Sequence, residues 1–292
     1  MVGDGSGFFG SSANIAGNTI NWVGHNGISV DSSFNTDILN NNVKHADNDG
    51  ISLYNTSAAR IELNTVKGVA RDGIHGEDNG AVSVKENVVS HAQNNGIDLM
   101  NTAWVSVRDN NISLIGNNGI DIEGARIANV SLNNVSDTDN DGISVSDVSV
   151  AFTAEGNTVS FNGGDGIDVD HVRAGKILNN IVASSGDNGI EVSQSDSVLI
   201  QSNNVTKAKG TGIHVKRSDD AVIGGAGILS NTINKSGNGI TVRGSDNVTV
   251  ENNAVTNSKR TAIFAKNLTN SAIINNIVDG VKRLSGISIE DG

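Results

Sequence analysis

The phrase Asn-Asn-Gly-Ile-Asp-Leu at residues 94–99 recurs 23 residues later as Asn-Asn-Gly-Ile-Asp-Ile at residues 117–122. Its isoleucine belongs to a series of twelve, spaced by 23, 24 or 27 residues, and glycine precedes eleven of them. So regular a period predicts a solenoid, in which one supersecondary unit is stacked on itself. The series is Ile28, Ile51, Ile74, Ile97, Ile120, Ile143, Ile167, Ile190, Ile213, Ile240, Ile263 and Ile287.

Each isoleucine opens a segment in which apolar and polar residues alternate. The residue two positions later is apolar in eleven of the twelve repeats, and Gly76 is the exception. A second β-favouring stretch recurs about twelve residues before most of the isoleucines, as at Ile38 and Ile61. Alternation with period 2 predicts half-buried strands, and no segment sustains the 3.6-residue period of a helix. The predicted class is all-β, with about 12 coils of about 23 residues, three strands per coil, and a rod about 58 Å long.

Two polar columns accompany these strands. One is an asparagine in every repeat, which we expect to occupy a left-handed turn and to hydrogen-bond along the axis of the solenoid. Its members are Asn18, Asn41, Asn64, Asn87, Asn110, Asn133, Asn157, Asn180, Asn203, Asn231, Asn253 and Asn276. The other stands just before the glycine and suits a tight turn into the strand. It reads Asn26, Asp49, Asp72, Asn95, Asn118, Asp141, Asp165 and Asn188 in the first eight repeats.

Composition limits the remaining possibilities. The chain of 292 residues has 35 Gly, 3% aromatic residues and no cysteine, which predicts a narrow aliphatic core without disulfides or thiolate metal sites. A net charge of −12 and the absence of basic runs disfavour nucleic-acid binding. No stretch approaches the length of a membrane span.

The unbroken repeat predicts a single domain over residues 1–292. Neither end shows a capping helix, so we expect a piece of a longer protein or end-to-end association.

The phrases at residues 94–99 and 117–122, with Gly-Asp-Gly-Ile-Asp-Val at 164–169 and Ile-Gly-Gly-Ala-Gly-Ile at 223–228, resemble the repeats of the pectin-lyase-like superfamily. This resemblance implies a single-stranded right-handed parallel β-helix, an extracellular or cell-surface location, and a polysaccharide or cell-surface glycan as partner. The superfamily includes lyases, hydrolases and epimerases as well as phage tailspikes and adhesins, so the fold does not choose an activity. The alginate epimerases of the family use an Asp-Pro-His segment, which a proline-free chain lacks.

The polar column that follows the isoleucines should face outward, and its middle part is acidic. Carboxylates stacked about 4.8 Å apart raise one another's pKa or hold a cation between them, as acid catalysis and Ca²⁺ binding both require. The catalytic candidates are Asp165, Asp168, Asp170 and His171. The ligand-binding candidates are Asp98, Asp121, Glu123 and Glu191. Lys216 and Arg243 also face outward near His214, and we expect them to lie coils away from the acids.

One segment resembles the opening of a calcium loop. Asp137, Asp139 and Asp141 alternate with other residues and Gly142 follows at the sixth position, but the twelfth position holds Val148 instead of glutamate. These three aspartates are the candidate metal ligands, and Ca²⁺ is the one candidate cofactor. The 27-residue repeat between Ile213 and Ile240 is the expected place for a specificity loop, around Ser218 to Gly227.

The pattern favours a non-catalytic extracellular or surface β-solenoid, either a rigid adhesin-like spacer or a carbohydrate-contacting segment. The rival hypothesis is a polysaccharide lyase, glycoside hydrolase or epimerase that acts on an acidic glycan at the outward column near Asp168. Activity on acidic glycans, lost when Asp168 and Asp170 are replaced, distinguishes the two.

Overall fold

The computed structural model describes residues 11–225 and 227–291, and in it the chain winds through three parallel sheets of 12 strands each. Every coil gives one strand to each sheet, so that strands three apart in the chain are hydrogen-bonded neighbours. The repeats pair in phase, as where Ile97 lies beside Ile120 and Asp98 beside Asp121. The predicted all-β parallel helix of 12 coils is thereby confirmed.

The first sheet contains, in order, Ala13–Ala16, Asn35–Leu39, Ala58–Glu62, Ala81–Lys85, Trp104–Arg108, Ile127–Ser131, Ala151–Glu155, Gly175–Leu178, Leu199–Gln201, Val222–Gly224, Thr249–Glu251 and Ala272–Ile274. The second sheet contains Thr19–Val23, Asn42–Ala46, Thr65–Val69, Val88–Ala92, Asn111–Ile115, Asn134–Thr138, Thr158–Asn162, Ile181–Ala183, Asn204–Thr206, Thr232–Asn234, Ala254–Thr256 and Ile277–Asp279.

The third sheet carries the isoleucine series. Its strands are Ile28–Asp31, Ile51–Tyr54, Ile74–Glu77, Ile97–Met100, Ile120–Glu123, Ile143–Ser146, Ile167–Asp170, Ile190–Ser193, Thr211–Lys216, Asn238–Asp246, Ile263–Thr269 and Ile287–Glu290. The helical content of the described residues is the single 3₁₀ turn Gly227–Leu229. The described part of the chain contains no helix that is long and apolar enough to cross a membrane.

A single aliphatic column fills the interior between the three sheets. Ile51, Ile97 and Ile143 of the third sheet are fully buried, as is Ile61 of the first and Val66 of the second. Glycine precedes eleven of the twelve isoleucines, and in ten of these coils it is required by close approach of the chain. A Cβ on Gly96 would lie 2.5 Å from the carbonyl oxygen of Gly119, closer than real Cβ atoms come. Narrow coils built from small residues therefore pack without a layered core.

Each coil turns through residues in the left-handed conformation, but these are not the stacked asparagines. Positive φ falls on the residue before them, such as Asn40, Leu63 and Glu86. The expectation that the asparagine itself takes the left-handed turn was wrong, because its side chain is buried and hydrogen-bonds neighbouring coils instead. Asn110 is buried, and its amide donates to Asn133 Oδ1 at 3.0 Å and to the Val84 carbonyl at 2.9 Å.

The column before the glycine forms a second series of hydrogen bonds with the opposite direction. Asn110 donates its backbone N–H to the side chain of the following coil, whereas Asn95 receives the N–H of Asn118, which lies in the following coil, on its Oδ1. The first column needs a side chain that both accepts and donates, and it is all asparagine. The second needs only an acceptor, so aspartate serves equally well there, as at Asp72.

The overlong coil carries its extra residues later than expected. Leu199 still pairs with Val222, at the usual spacing of 23, but Asn204 pairs with Thr232, at a spacing of 28. The insertion therefore lies between the first and second sheets, around the 3₁₀ turn Gly227–Leu229. The expected position around Ser218 to Gly227 was wrong in its first half, because the chain keeps sheet register up to Gly224.

Candidate functional site

The outward column of the third sheet is less exposed than strict alternation predicts. Asp98 retains 7% of its accessible surface and Thr241 retains 2%. The reason is that the outward column is covered by side chains of the column that stands just before the glycine, which we call the turn column. Asn118 Nδ2 donates to Asp121 Oδ2 at 3.2 Å, three residues on in the same coil. Asn95 Nδ2 reaches the same oxygen at 3.3 Å from the preceding coil, a separation of 26 residues.

The Glu191 cluster consists of Asp165, Asp168, Glu191, His214 and Lys216, on three adjacent coils. One carboxylate oxygen from each of the three acids lies within 4.8 Å of the others. Lys216 Nζ lies 2.5 Å from Glu191 Oε1, and His214 Nδ1 lies 3.1 Å from Glu191 Oε2. The expectation that Lys216 lies coils away from the acids was therefore wrong. Lys216 stands two residues after His214, which pairs with Glu191 across one sheet step.

These surroundings separate the pKa values of the acids. Burial, reinforced by the charges of Glu191 and Asp141, raises the pKa of Asp165 to about 8. Burial and the charges of Asp141 and Glu191 raise the pKa of Asp168 to about 7. Hydrogen bonding to His214, with help from Lys216, lowers the pKa of Glu191 to about 2. The cluster thus holds an ionised carboxylate beside two carboxyl groups that titrate near neutral pH, an arrangement suited to proton transfer.

The remaining catalytic and ligand-binding candidates lie apart from this cluster. Asp170 lies two residues after Asp168 on the same strand and its charge helps to raise the pKa of Asp168, but its Oδ2 lies 2.6 Å from His171 Nδ1 and its other oxygen accepts a short hydrogen bond from Ser193. Asp121 is half-buried, and burial raises its pKa. Glu123 is exposed and pairs in register with Met100 and Ser146 rather than with another acid.

The calcium-loop aspartates point in different directions. Asp137 and Asp139 line a shallow groove beside the second sheet, together with His91 and Phe161. Asp141 belongs to the turn column and accepts the backbone N–H of Asp165 on its Oδ1 at 2.6 Å. Among the described residues, the groups of side chains close enough to share a metal ion do not include these three.

The Asp72 cluster, formed by Asp72, His75 and Asp98, is one of those groups; Asp98 was a ligand-binding candidate, whereas Asp72 and His75 were not candidates. One donor atom from each residue lies within 4.8 Å of the others. Asp98 Oδ2 lies 2.8 Å from His75 Nδ1, and the Asp72 side chain has no accessible surface. Its members follow the spacing seen at Asn118 and Asn95, where a residue of the turn column contacts the residue 3 or 26 positions later in the chain. For Asp72 those positions are His75 and Asp98. That spacing is the signal in the sequence that reveals the cluster.

Cations scattered along the sequence gather on the last coils. Residues 201–292 carry 11 Lys and Arg against 7 Asp and Glu. Lys216, Arg243 and Lys266 stack in register on consecutive coils. A groove of about 400 Å³ beside them is lined by Glu191, His214, Thr241, Lys216, Arg243 and Arg260, among others. Arg243 also lies over the ring of Phe264, 4.9 Å from its centre.

A second concave surface, of about 360 Å³, adjoins this groove at Arg260. Its lining residues are Lys209, Gly237, Lys259, Arg260, Lys282 and Arg283. Aligning these positions on the repeat reveals the basic surface, which a search for basic runs in the sequence does not. The groove and this second surface together are called the basic face below.

Comparison with known proteins agrees with the architecture. Three overlapping stretches, residues 3–134, 49–197 and 165–292, match the family model described as the right handed beta helix region. No curated protein matches the chain by sequence. The mannuronan C-5 epimerase AlgE6 A-module of Azotobacter vinelandii is 15% identical, over 97% of this chain and 91% of that one, with a TM-score of 0.67.

The bacteriophage CBA120 tailspike protein 3 is 12% identical, with a TM-score of 0.58, over 88% of this chain and 51% of that one. At such identities the two likenesses show the fold alone. The family match, by contrast, extends over nearly every coil. The chain belongs to the right-handed β-helix family, within the pectin-lyase-like fold.

Proposed function

We propose that the chain is a surface or extracellular β-helix that binds an acidic polysaccharide on the basic face. The observation that carries this proposal is the convergence of Lys216, Arg243 and Arg260 on one groove of a protein whose net charge is −12. Four further cations extend the surface along the axis, so a linear polyanion can contact several coils at once. Phe264, with Arg243 over its ring, adds an aromatic side chain beside the groove.

The experiment is a binding assay with polygalacturonate, alginate and neutral dextran at two ionic strengths. We expect salt-sensitive binding of an acidic glycan and none of dextran, because pairing of exposed charges is screened by salt. The variant Arg260→Gln/Arg283→Gln should weaken binding about tenfold, if each pair contributes up to about 1 kcal/mol. The matched control is Arg108→Gln/Arg126→Gln, which removes the same charge from a distant part of the solenoid. Equal binding by both variants, or preference for single-stranded DNA over every glycan, would contradict the proposal.

A second candidate function is acid–base catalysis on the bound glycan. The observation that favours it is the separation of the pKa values of Asp168, about 7, and Glu191, about 2. Asp168 would exchange a proton with the sugar, and Glu191 would stay ionised beside it. His214 is a poorer proton acceptor for substrate, because its Nε2 is buried without a hydrogen-bond partner.

Catalysis is tested by incubating the protein with the glycan that it binds. The products are assayed for the unsaturated ends of a lyase, the new reducing ends of a hydrolase and the inverted carbon centre of an epimerase. The Asp168→Asn variant should lose at least about 100-fold in rate, the low end for loss of a general acid or base. Asp121→Asn, from the same column two coils away, should retain the rate. Binding without turnover would leave the non-catalytic function.

A further inference from the structure

Asp72 carries a buried carboxylate oxygen that has no hydrogen-bond partner. Its Oδ1 accepts the backbone N–H of Asn95 at 2.8 Å and the side-chain amide of Asn94 at 2.7 Å. Its Oδ2 accepts no hydrogen bond, although the side chain is fully buried. Leaving a buried polar atom unpaired costs free energy, so this oxygen calls for a partner. Arg71, which is about half exposed, comes no nearer than 3.9 Å.

Neighbouring coils indicate what this oxygen faces. Where asparagine occupies the same column, its Nδ2 donates to a carboxylate 3 or 26 residues later, as Asn118 and Asn95 both do to Asp121. For Asp72 the residues at those two separations are His75 and Asp98. An amide donor is thus replaced by an acceptor that faces an imidazole and a second carboxylate. One possible ligand atom from each of the three residues lies within 4.8 Å of the other two.

We propose that Asp72, His75 and Asp98 bind one divalent transition-metal ion, for which Zn²⁺ is the best match. One imidazole nitrogen and two carboxylate oxygens form a donor set that Zn²⁺ accepts, whereas Ca²⁺ selects oxygen alone. Binding releases to solvent the proton of the hydrogen bond between His75 Nδ1 and Asp98 Oδ2, and the two ionised carboxylates then balance the charge of the ion.

Two further features fit a bound metal. Glu77 Oε2 lies 4.0 Å from His75 Nε2, on the side of the ring away from Asp98. This distance is longer than a hydrogen bond, so Glu77 would have to move closer to accept the second ring N–H, as carboxylates commonly do for histidine ligands. Asp72 and His75 belong to the third coil and Asp98 to the fourth, so the ion clamps two coils together. The Glu191 cluster differs, because there Lys216 already supplies the positive charge.

The test is titration of untagged, chelator-treated protein with ZnCl₂ alone, followed by calorimetry, with Co²⁺ absorption as an independent report on the ligands. We expect one ion per chain. Asp72→Asn should lower the affinity at least about 100-fold, the upper end of what loss of an outer-shell partner costs. This variant keeps the fold, because asparagine is the residue found in that column at Asn95 and Asn118. His75→Ser, which copies Ser52 of the preceding coil, should act in the same way.

The matched control is Asp165→Asn, the same substitution in the same column four coils away. It should bind Zn²⁺ with the affinity of the unaltered protein. Absence of stoichiometric Zn²⁺ binding in the unaltered protein would overturn the proposal. Equal affinity in Asp72→Asn and Asp165→Asn would also overturn it. Both results can be read whether or not the basic face binds a glycan.

Discussion

The Asp72 and Glu191 clusters occupy equivalent positions on one sheet and differ in how negative charge is balanced. Each begins with an aspartate of the turn column, and each extends to the residues 3 and 26 positions later. In the Glu191 cluster Lys216 and His214 neutralise Glu191, and protons remain on the other acids. In the Asp72 cluster the partner of Asp98 is one histidine, and a buried oxygen of Asp72 has no donor. The same backbone thus builds one site in which acids keep their protons and another that lacks a positive partner for its acids.

Removing the charge at the centre of the Glu191 cluster should have the largest effect. Glu191→Gln leaves Lys216 and His214 without their carboxylate, which should cost about 3 kcal/mol of unfolding free energy at pH 7. Because the pKa of Glu191 is lowered to about 2, the stabilisation is complete above its ordinary value of 4.5 and is lost as the pH falls towards 2. Urea denaturation at pH 7 and pH 3 measures this, and the difference should shrink at pH 3. Glu123→Gln, at an exposed position of the same sheet, is the control, and an equal loss there would contradict the prediction.

Replacing the protonated acid of the same cluster should act in the opposite direction. The pKa of Asp165 is raised to about 8, so the folded chain holds a proton that the unfolded chain releases above about pH 4. Stability is therefore lost as the pH rises from 4 to 8. Asp165→Asn keeps the oxygen that accepts the Asn188 N–H and should gain about 2 kcal/mol at pH 8, with almost none at pH 4. A gain that does not depend on pH would show that the acid is not the cause.

The corresponding substitution in the Asp72 cluster should show a smaller gain that reverses with metal. With chelator present, Asp72→Asn should stabilise the fold by about 1 kcal/mol, because the new amide can donate to Asp98. With excess Zn²⁺ the unaltered protein should become the more stable of the two, since the ion binds only its folded state. Thermal unfolding with EDTA and with ZnCl₂ measures both. The same order of stability in both solutions would remove the distinction between the clusters.

The smallest effect should come from the rim of the basic face. Lys266→Gln should weaken glycan binding about threefold at low salt, because one exposed charge contributes less than about 1 kcal/mol. Arg71→Gln, beside the Asp72 cluster, should leave glycan binding unchanged. Titrations at low and high salt should therefore separate the two ends of the sheet. A loss of equal size in both variants would indicate a general charge effect instead.

The sequence predicted the architecture well because the repeat fixes it many times over. Every coil has the isoleucine and the asparagine, and glycine precedes the isoleucine in eleven of the twelve coils, so each column is observed many times. The turn conformation was predicted wrongly, because the left-handed tendency of asparagine is weaker than the need of a buried backbone for an amide that both donates and accepts. Leu63 and Leu132 take positive φ instead, which no single-residue preference predicts.

The sites were predicted only in part, because they depend on differences between columns. Asp165, Asp168 and Glu191 were found by reading down columns, and they do come together. Asp98 was a candidate, but its partners Asp72 and His75 were missed, as was the contact of Lys216 with Glu191, because several of these contacts combine a step of one coil with a shift of two or three residues. Half-burial of the outward column follows from the same oblique contacts. It raises the pKa values of Asp165 and Asp168, whereas hydrogen bonding to His214 lowers that of Glu191.

The two series of coil-to-coil hydrogen bonds also bear on how such a chain can lengthen. The stacked asparagine of each coil accepts a hydrogen bond from the preceding coil and donates the same kind of bond to the next one, and the turn column repeats this in the opposite direction. A duplicated stretch of 23 residues would meet identical partners on both of its faces. Even the overlong coil preserves the contact, since Asn203 still bonds Asn231 across 28 residues. Gene duplication can therefore add whole coils, each bringing a fresh outward column, without disturbing those already present.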